Sequence, residues 1–561
     1  MELLAPTLAR SSGATLEISS GIPGQQPDRE GGLRLETSGE APSLTVGLLP
    51  SRRINMSSVV QVQTRPRPRS VLVWFAPVQA AVVFSVIAVT SGGQTLKTWL
   101  LGALTWVMAL PLLVSLEAGL VAMMLFEPLR GVIRRAQYLF VEYSSQDPIH
   151  VLTPIVTLLA FAMLLKSQRL AILRATPLAG AVSVLGIIYF IEIFNPLQGG
   201  LFVGLSGAMF VLVPLLWFYF GQSVTDQFIT NALRLIVVLG LVASLYGVYQ
   251  LVFGYPSFEQ YWISNTEFYE SIAVGHVQRA LATFSSAEEW GRYTEVGAIA
   301  AFGFAAGARR IGIRASWMLG GAALSGSVLL TGQRTAVFGL LLGVVVLIML
   351  GARNFRGVVS RVAILLLPVV LVAVFVKPPA EDEIWSKGDD ETVGTLLLHT
   401  QRGLLKPADE ESLQVRLGNW AHLATSVIPY RPLGAGIGAG NLGEVRFNPD
   451  YDLPPLDSSI VQIAISCGIP GLLLFVWILS RSTWFSLQAA RRSQRADRSA
   501  ELRRTIAAIM FALVLNSVFG LTFTLYSVAP VAWLLIGWIS AESMAARREA
   551  EREAEREIIT I

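Results

Sequence analysis

The chain has 561 residues, 53% hydrophobic and only 15% charged, with a mean hydropathy of +0.56. Ordinary soluble domains carry roughly 25% charged residues, so a soluble enzyme is excluded and a polytopic, all-α membrane protein is expected. The single cysteine, Cys467, excludes an intramolecular disulfide and argues against structural zinc, while a net charge of +4 says little of partners until it is divided by loop; nucleic acid is not expected.

Residues 1–69 are rich in Gly, Pro, Ser and charges, with no sustained apolar period. They cannot bury enough surface to offset chain entropy, which predicts a disordered tail. No apolar core follows the initial Met, so a cleaved signal peptide is not expected. The tail ends in RPRPRS against the first apolar run, which favours a cytoplasmic N-terminus. Hydrophobic runs follow at 71–90, 98–126, 151–165, 178–194, 200–220, 232–253, 293–308, 315–332, 335–352, 359–376, 456–480 and 504–541. A crossing helix needs roughly 20 residues, so 504–541 reads as two helices meeting near Thr522 to Tyr526. The 98–126 run reads either as one long tilted helix or as a hairpin near Pro111. In all, 12 to 14 spans are expected. They form an N-terminal bundle over 70–376 and a C-terminal group over 456–541, with a charged cytoplasmic tail at 542–561.

Charge orients the spans. Lys166, Arg169 and Arg174, then Arg309, Arg310 and Arg314, then Arg353, Arg356 and Arg361, and the basic segment 481–504 mark cytoplasmic loops. By alternation, 254–292, the turn Gly332-Gln333-Arg334 and the long loop 377–455 lie outside. Parity back to a cytoplasmic N-terminus needs 98–126 to cross twice, which leaves Arg130, Arg134 and Arg135 outside, against the charge rule.

The outer loop 377–455 is acidic, with 12 Asp or Glu against 7 Lys or Arg. Within it Leu413, Leu417, Trp420, Ala424 and Val427 make one apolar helical face bordered by Arg416. Gly434, Gly436, Gly438 and Gly440 follow. No strand leads into them and no Gly-Lys-Ser/Thr comes after, so they are not a nucleotide loop. Their use is positive φ or close approach to a partner. Asp457 stands at the mouth of the next span, where a charge is expensive. Four features therefore gather at the outer boundary: Arg279, Arg334 in a turn with almost no loop, Arg416 with the glycine turn, and Asp457. A guanidinium fork suits phosphate; capping, ion pairing and snorkelling are the structural alternatives. Tyr255, Phe258, Tyr261, Trp262, Phe268 and Tyr269 on the 254–292 loop suit either sugar rings or an interfacial aromatic belt. His150, His276, His399 and His422 are scattered, without metal-ligand spacing, so no metal is expected. Of intramembrane acids that a transporter would need, Glu117 and Glu192 stand out, each near a span end.

Three segments resemble the O-antigen ligase and polymerase superfamily of bacterial envelope enzymes. They are RALATFSSAEEWGRYTEVGAIAAFGF, TGQRTAVFGLLLGVVV (with Gln333 where the family has Ser), and RLGNWAHLATSVIPYRPLGAGIGAGNLGE followed by LDSSIVQIAISCGIPGLLLF. The resemblance covers roughly residues 275 to 480. It implies a metal-independent glycosyltransferase without cofactor, in the bacterial inner membrane, working at the outer leaflet on a glycan carried by undecaprenyl pyrophosphate. By position, Arg279 and Arg334 match the family's pyrophosphate-binding arginines and Arg416 a further one. Where many ligases have His-Asn, this chain has Asp457-Ser458, so Asp457 and His422 are the two candidate bases. The partners implied are the polyprenyl-pyrophosphate-linked glycan, the lipid bilayer, and a flippase with chain-length or export proteins. Polymerisation of repeat units into an O-antigen or exopolysaccharide is the expected activity. Ligation to a final acceptor is the alternative, and a transporter or export-complex component is the second alternative.

Overall fold

The computed structural model of the chain describes residues 94–143, 147–265, 273–274, 277–352, 411–440, 456–492 and 498–560, together with Ile87. The expected tail at 1–69, nearly all of the 71–90 run, the 359–376 run and most of the 377–455 loop lie outside these residues. What is described is a helical membrane protein. In order, the helices are α1 (Thr95–Ala109), α2 (Leu116–Phe126), α3 (Arg130–Gln137), α4 (Ile149–Gln168), α5 (Ala179–Glu192), α6 (Leu201–Leu215), α7 (Trp217–Gly221), α8 (Asp226–Phe253) and α9 (Ser257–Asn265). They continue with α10 (Ala287–Gly307), α11 (Ile311–Leu330), α12 (Arg334–Gly351), α13 (Glu411–His422), α14 (Ser459–Arg492), α15 (Arg498–Phe519) and α16 (Ala529–Thr560). The strands among the described residues are two-residue pieces, Ala273–Val274 and Val277–Gln278, paired antiparallel. Nine helical stretches among the described residues are long and apolar enough to cross a membrane. Helix α10 has the length, 21 residues, but carries Glu288, Glu289, Arg292 and Glu295.

The 98–126 run is a hairpin. Pro111 sits in a single 3-10 turn over Leu110–Leu113, and Ser115, in extended backbone, caps α2 by accepting from the Ala118 amide at 3.0 Å. Past the hairpin the chain returns to its start: Lys97 of α1 lies 3.9 Å from Asp147, which Arg134 of α3 also binds at 3.1 Å. This resolves the conflict over Arg130, Arg134 and Arg135. Each is buried against a carboxylate: Arg130 on Glu289 at 2.9 Å, Arg134 on Asp147, and Arg135 on Glu259 at 2.6 Å. Neutralised charges inside the fold carry little orienting weight, so these three arginines do not decide which side of the membrane their end of the bundle faces. The run at 504–541 breaks as expected, with α15 ending at Phe519 and α16 starting at Ala529.

The glycine turn and the kink of α14 are one construction. Pro470 has no N–H to give, and the Ile469 amide donates to Pro432 O at 2.9 Å instead of up its own helix. The carbonyls of Ile465 and Ser466 are thereby freed. The turn takes both, with Ala435 N on Ile465 O at 2.8 Å and Gly436 N on Ser466 O at 3.1 Å. Its other side is held by Ile437 N on Glu192 O at 3.2 Å and Gly438 N on Gln198 Oε1 at 2.9 Å. Gly434 and Gly436 have φ of +112° and +108°, and a Cβ on Gly438 would overlap Val203. Both uses of glycine that the sequence suggested, positive φ and close approach, are realised here.

Candidate active site

The site assembles at the end of the bundle where α10, α12 and α14 begin. The segment leading into α10 is fixed first. Arg135 donates to Phe284 O at 2.6 Å and to Ala282 O, while Gln250 Oε1 accepts from the amides of Leu281 (3.1 Å) and Ala282 (2.7 Å). Ala282 is held at φ +49°, a conformation costly for a side-chain-bearing residue and kept only where the surroundings over-determine it. Gly131 allows the close approach, since a Cβ there would overlap the Phe284 carbonyl. Tyr255 OH donates to the carbonyl of Arg279. Ser286 then caps α10, its hydroxyl accepting from Glu289 N at 3.1 Å.

Arg279 is half-buried on this clamped segment. Burial, with Arg334 and Arg416 close by, pulls its guanidinium down to about 10, and Glu288 works in the opposite direction. Three arginines that the sequence picked out separately are therefore electrostatic neighbours. Like charges held together with a buried donor lacking a partner mark a place for an anion. Among the described residues, Arg279 Nε is such a donor. Arg416 is tied to Asp457 by a 2.8 Å contact from its Nε, with the pair 34% and 42% exposed, so Asp457 enters the site as the partner of Arg416.

A second layer joins the helix starts. Arg292, whose side chain is 1% exposed, donates to Glu288 Oε1 through both Nε and Nη2 at 3.1 Å, and Nη2 also reaches Thr335 Oγ1 at 3.1 Å, next to Arg334. Gly520 packs against this pair; a Cβ there would overlap the Arg292 guanidinium. Its carbonyl accepts from Ser459 N and Ser459 Oγ, both at 3.0 Å, which fixes the start of α14 beside Asp457. Trp420 of α13 stacks on Phe519 with centroids 5.9 Å apart, laying α13 over the same corner.

Some expectations need correction. Of the expected apolar face, Leu413, Trp420 and Val427 are half-buried, as is Arg416, and Leu423 is buried, but Leu417 and Ala424 are exposed. A π-turn over Leu423–Val427 shifts the register after His422. His422 itself is exposed at the end of α13. Tyr255 and Trp262 are buried in a small core with Tyr138, Ile263 and Leu281, so they are packing residues rather than a sugar platform, and Tyr261 is exposed. Phe268 and Tyr269 lie outside the described residues. Glu192 sits at the end of α5, accepting from Asn195 at 2.7 Å. A buried acid that was missed is Glu295, fully buried and bonded by Asn516 at 2.7 Å. Glu288 and Arg292 were also missed, although their i,i+4 spacing at a helix start was visible in SSAEEWGRY.

The fold is that of a polytopic membrane protein, with Arg279, Arg334 and Arg416 gathered at one end of its bundle. Residues 319–476 match the family model described as O-antigen ligase, which supports the O-antigen ligase and polymerase superfamily and a glycosyltransferase-type membrane enzyme. The match takes in Arg334, Arg416 and Asp457; Arg279, Glu288 and Arg292 lie ahead of it. A comparison with curated proteins gave no match.

Proposed function

We propose that the chain polymerises glycan repeat units carried on undecaprenyl pyrophosphate, by metal-independent transfer at the outer face of the bacterial cytoplasmic membrane. The observation that carries this reading is the convergence of Arg279, Arg334 and Arg416. A sugar on pyrophosphate already has a good leaving group. Catalysis then consists of stabilising the charge that gathers on the departing pyrophosphate and removing the proton of the acceptor hydroxyl. Arg279 and Arg334 clamp the pyrophosphate in this scheme. Asp457 orients Arg416 toward it, and a single displacement inverts the anomeric centre. Asp457 and the exposed His422 are the two candidate bases of the sequence reading, and a near-normal Asp457→Asn or His422→Gln enzyme removes the one it changes.

The arginine end of the bundle faces outward in this reading, and the end carrying Arg309 and Arg310 faces the cytoplasm. In a Cys467→Ser background, Tyr430→Cys, at a position 83% exposed, is expected to label with an impermeant thiol reagent in intact cells. Arg310→Cys is expected not to, and the reverse pattern overturns the orientation.

Ligation is the second reading, favoured by the description of the matching family. Purified protein given one lipid-linked repeat unit and no other acceptor is expected to build a ladder of longer lipid-linked chains. A strict need for a separate acceptor would make it a ligase.

A further inference from the structure

Helix α10 carries a polar stripe into the bundle. Glu288, Arg292 and Glu295 recur at four and three residues and so share one face. Opposite them stand Thr335 and Gly339 of α12, and Asn516 and Gly520 at the end of α15, each pair also four apart. The two glycines make room for the charged heads: a Cβ on Gly520 would overlap Arg292, and one on Gly339 would overlap Glu295 Oε1. Charges at such depth are expensive and kept for function.

We infer that Glu288 is the base that takes the acceptor's proton. The inference rests on the glycosyl-transfer reading above. Both hydrogen bonds from Arg292 fall on Glu288 Oε1, which orients the carboxylate and leaves Oε2 clear of that pair. The Glu288 side chain is 29% exposed above an Arg292 that is 1% exposed, so the carboxylate is the part of the pair an acceptor can reach. Its charge acts on Arg279, which places it beside the leaving group's clamp. Beneath it, Arg292 also interacts with the buried Glu295. In the step, the acceptor O–H bond breaks and its proton moves to Glu288 Oε2. The oxygen bonds to the anomeric carbon, and the bond from that carbon to the pyrophosphate oxygen breaks with its electron pair on the pyrophosphate.

The test uses the full chain in proteoliposomes with a lipid-linked repeat unit as donor and acceptor. The groups facing Glu288 are Arg292 of its own helix and Arg279 of the preceding segment, with the neutral Thr335 and the Gly520 backbone beyond. A base must be deprotonated to act, so wild-type kcat falls on the acid side. Glu288→Gln is expected to lower kcat at least about 100-fold, leave the donor KM within about threefold, and abolish the acid limb. A Glu288→Gln enzyme within about tenfold of wild-type kcat, or one that keeps the acid limb while Asp457→Asn loses it, overturns the assignment. If Glu288→Gln fails to reach the membrane, Glu288→Asp decides: a lowered kcat at unchanged donor KM supports the inference, and an unchanged kcat overturns it. A wild-type protein that transfers no sugar would overturn the functional reading itself, a result distinct from an active Glu288→Gln variant.

Discussion

Arg279→Lys and Arg334→Lys are each expected to lower transfer by about 100-fold or more, the size of effect seen when one preorganised charge-stabilising donor is removed. Lysine keeps the charge but not the planar fork, and a compact ammonium cannot hold two phosphate oxygens at once. Arg279 is the stricter case. Its guanidinium is pulled down to about 10 by burial and by Arg334 and Arg416, so holding these cations together costs the free protein stability that a bound anion would offset in part. A bound pyrophosphate should accordingly raise the thermal stability of the wild-type protein and raise that of the lysine variants less. Both variants are expected at normal levels in the membrane. Full activity in Arg334→Lys and Arg334→Ala would remove Arg334 from the mechanism.

The second large effect is on stability. Arg135 is 1% exposed and its partner Glu259 fully buried, with further bonds from Arg135 to Phe284 O and Ala282 O and from Gln250 Nε2 to Glu259 Oε2 at 2.8 Å. Arg135→Leu leaves a buried carboxylate with its cation gone, which costs roughly 3–5 kcal/mol. The same change loosens the segment that presents Arg279. Arg135→Leu is therefore expected to melt well below wild type in detergent and to lose activity. The double variant Arg135→Leu/Glu259→Leu, which removes both charges, should recover much of the melting temperature but not the activity. Equal melting of the single variant and wild type would contradict the account of this corner.

The spans and their breaks were legible because hydropathy and proline are local signals. Pro111 and the Thr522–Tyr526 break each acted within a few residues. Arg279, Arg334, Arg416 and Asp457 were legible for a different reason: a charge beside an apolar run stands out. What the sequence concealed was pairing. Arg135 meets Glu259, 124 residues away, and Arg130 meets Glu289, 159 away, so two of the three arginines that broke the charge rule are paired with partners far off in the chain. Glu288 and Arg292 were hidden at the seam between a polar loop and an apolar run, where neither pattern claimed them. After His422 the expected face was misread at Ala424 because the π-turn at Leu423–Val427 adds a residue to the helical period, whereas Leu417, ahead of that turn, is exposed on a regular helix.

The most direct measurement follows both halves of the donor. Full-length protein in proteoliposomes, with a chelator present, receives undecaprenyl pyrophosphate carrying a repeat unit labelled in the sugar and in the lipid. The account predicts that free undecaprenyl pyrophosphate appears in step with sugar joined to an acceptor, and that Arg279→Lys and Arg334→Lys suppress both. Labelled glycan that crosses the bilayer still attached to its lipid, with no free undecaprenyl pyrophosphate, would contradict it and make the protein a transporter.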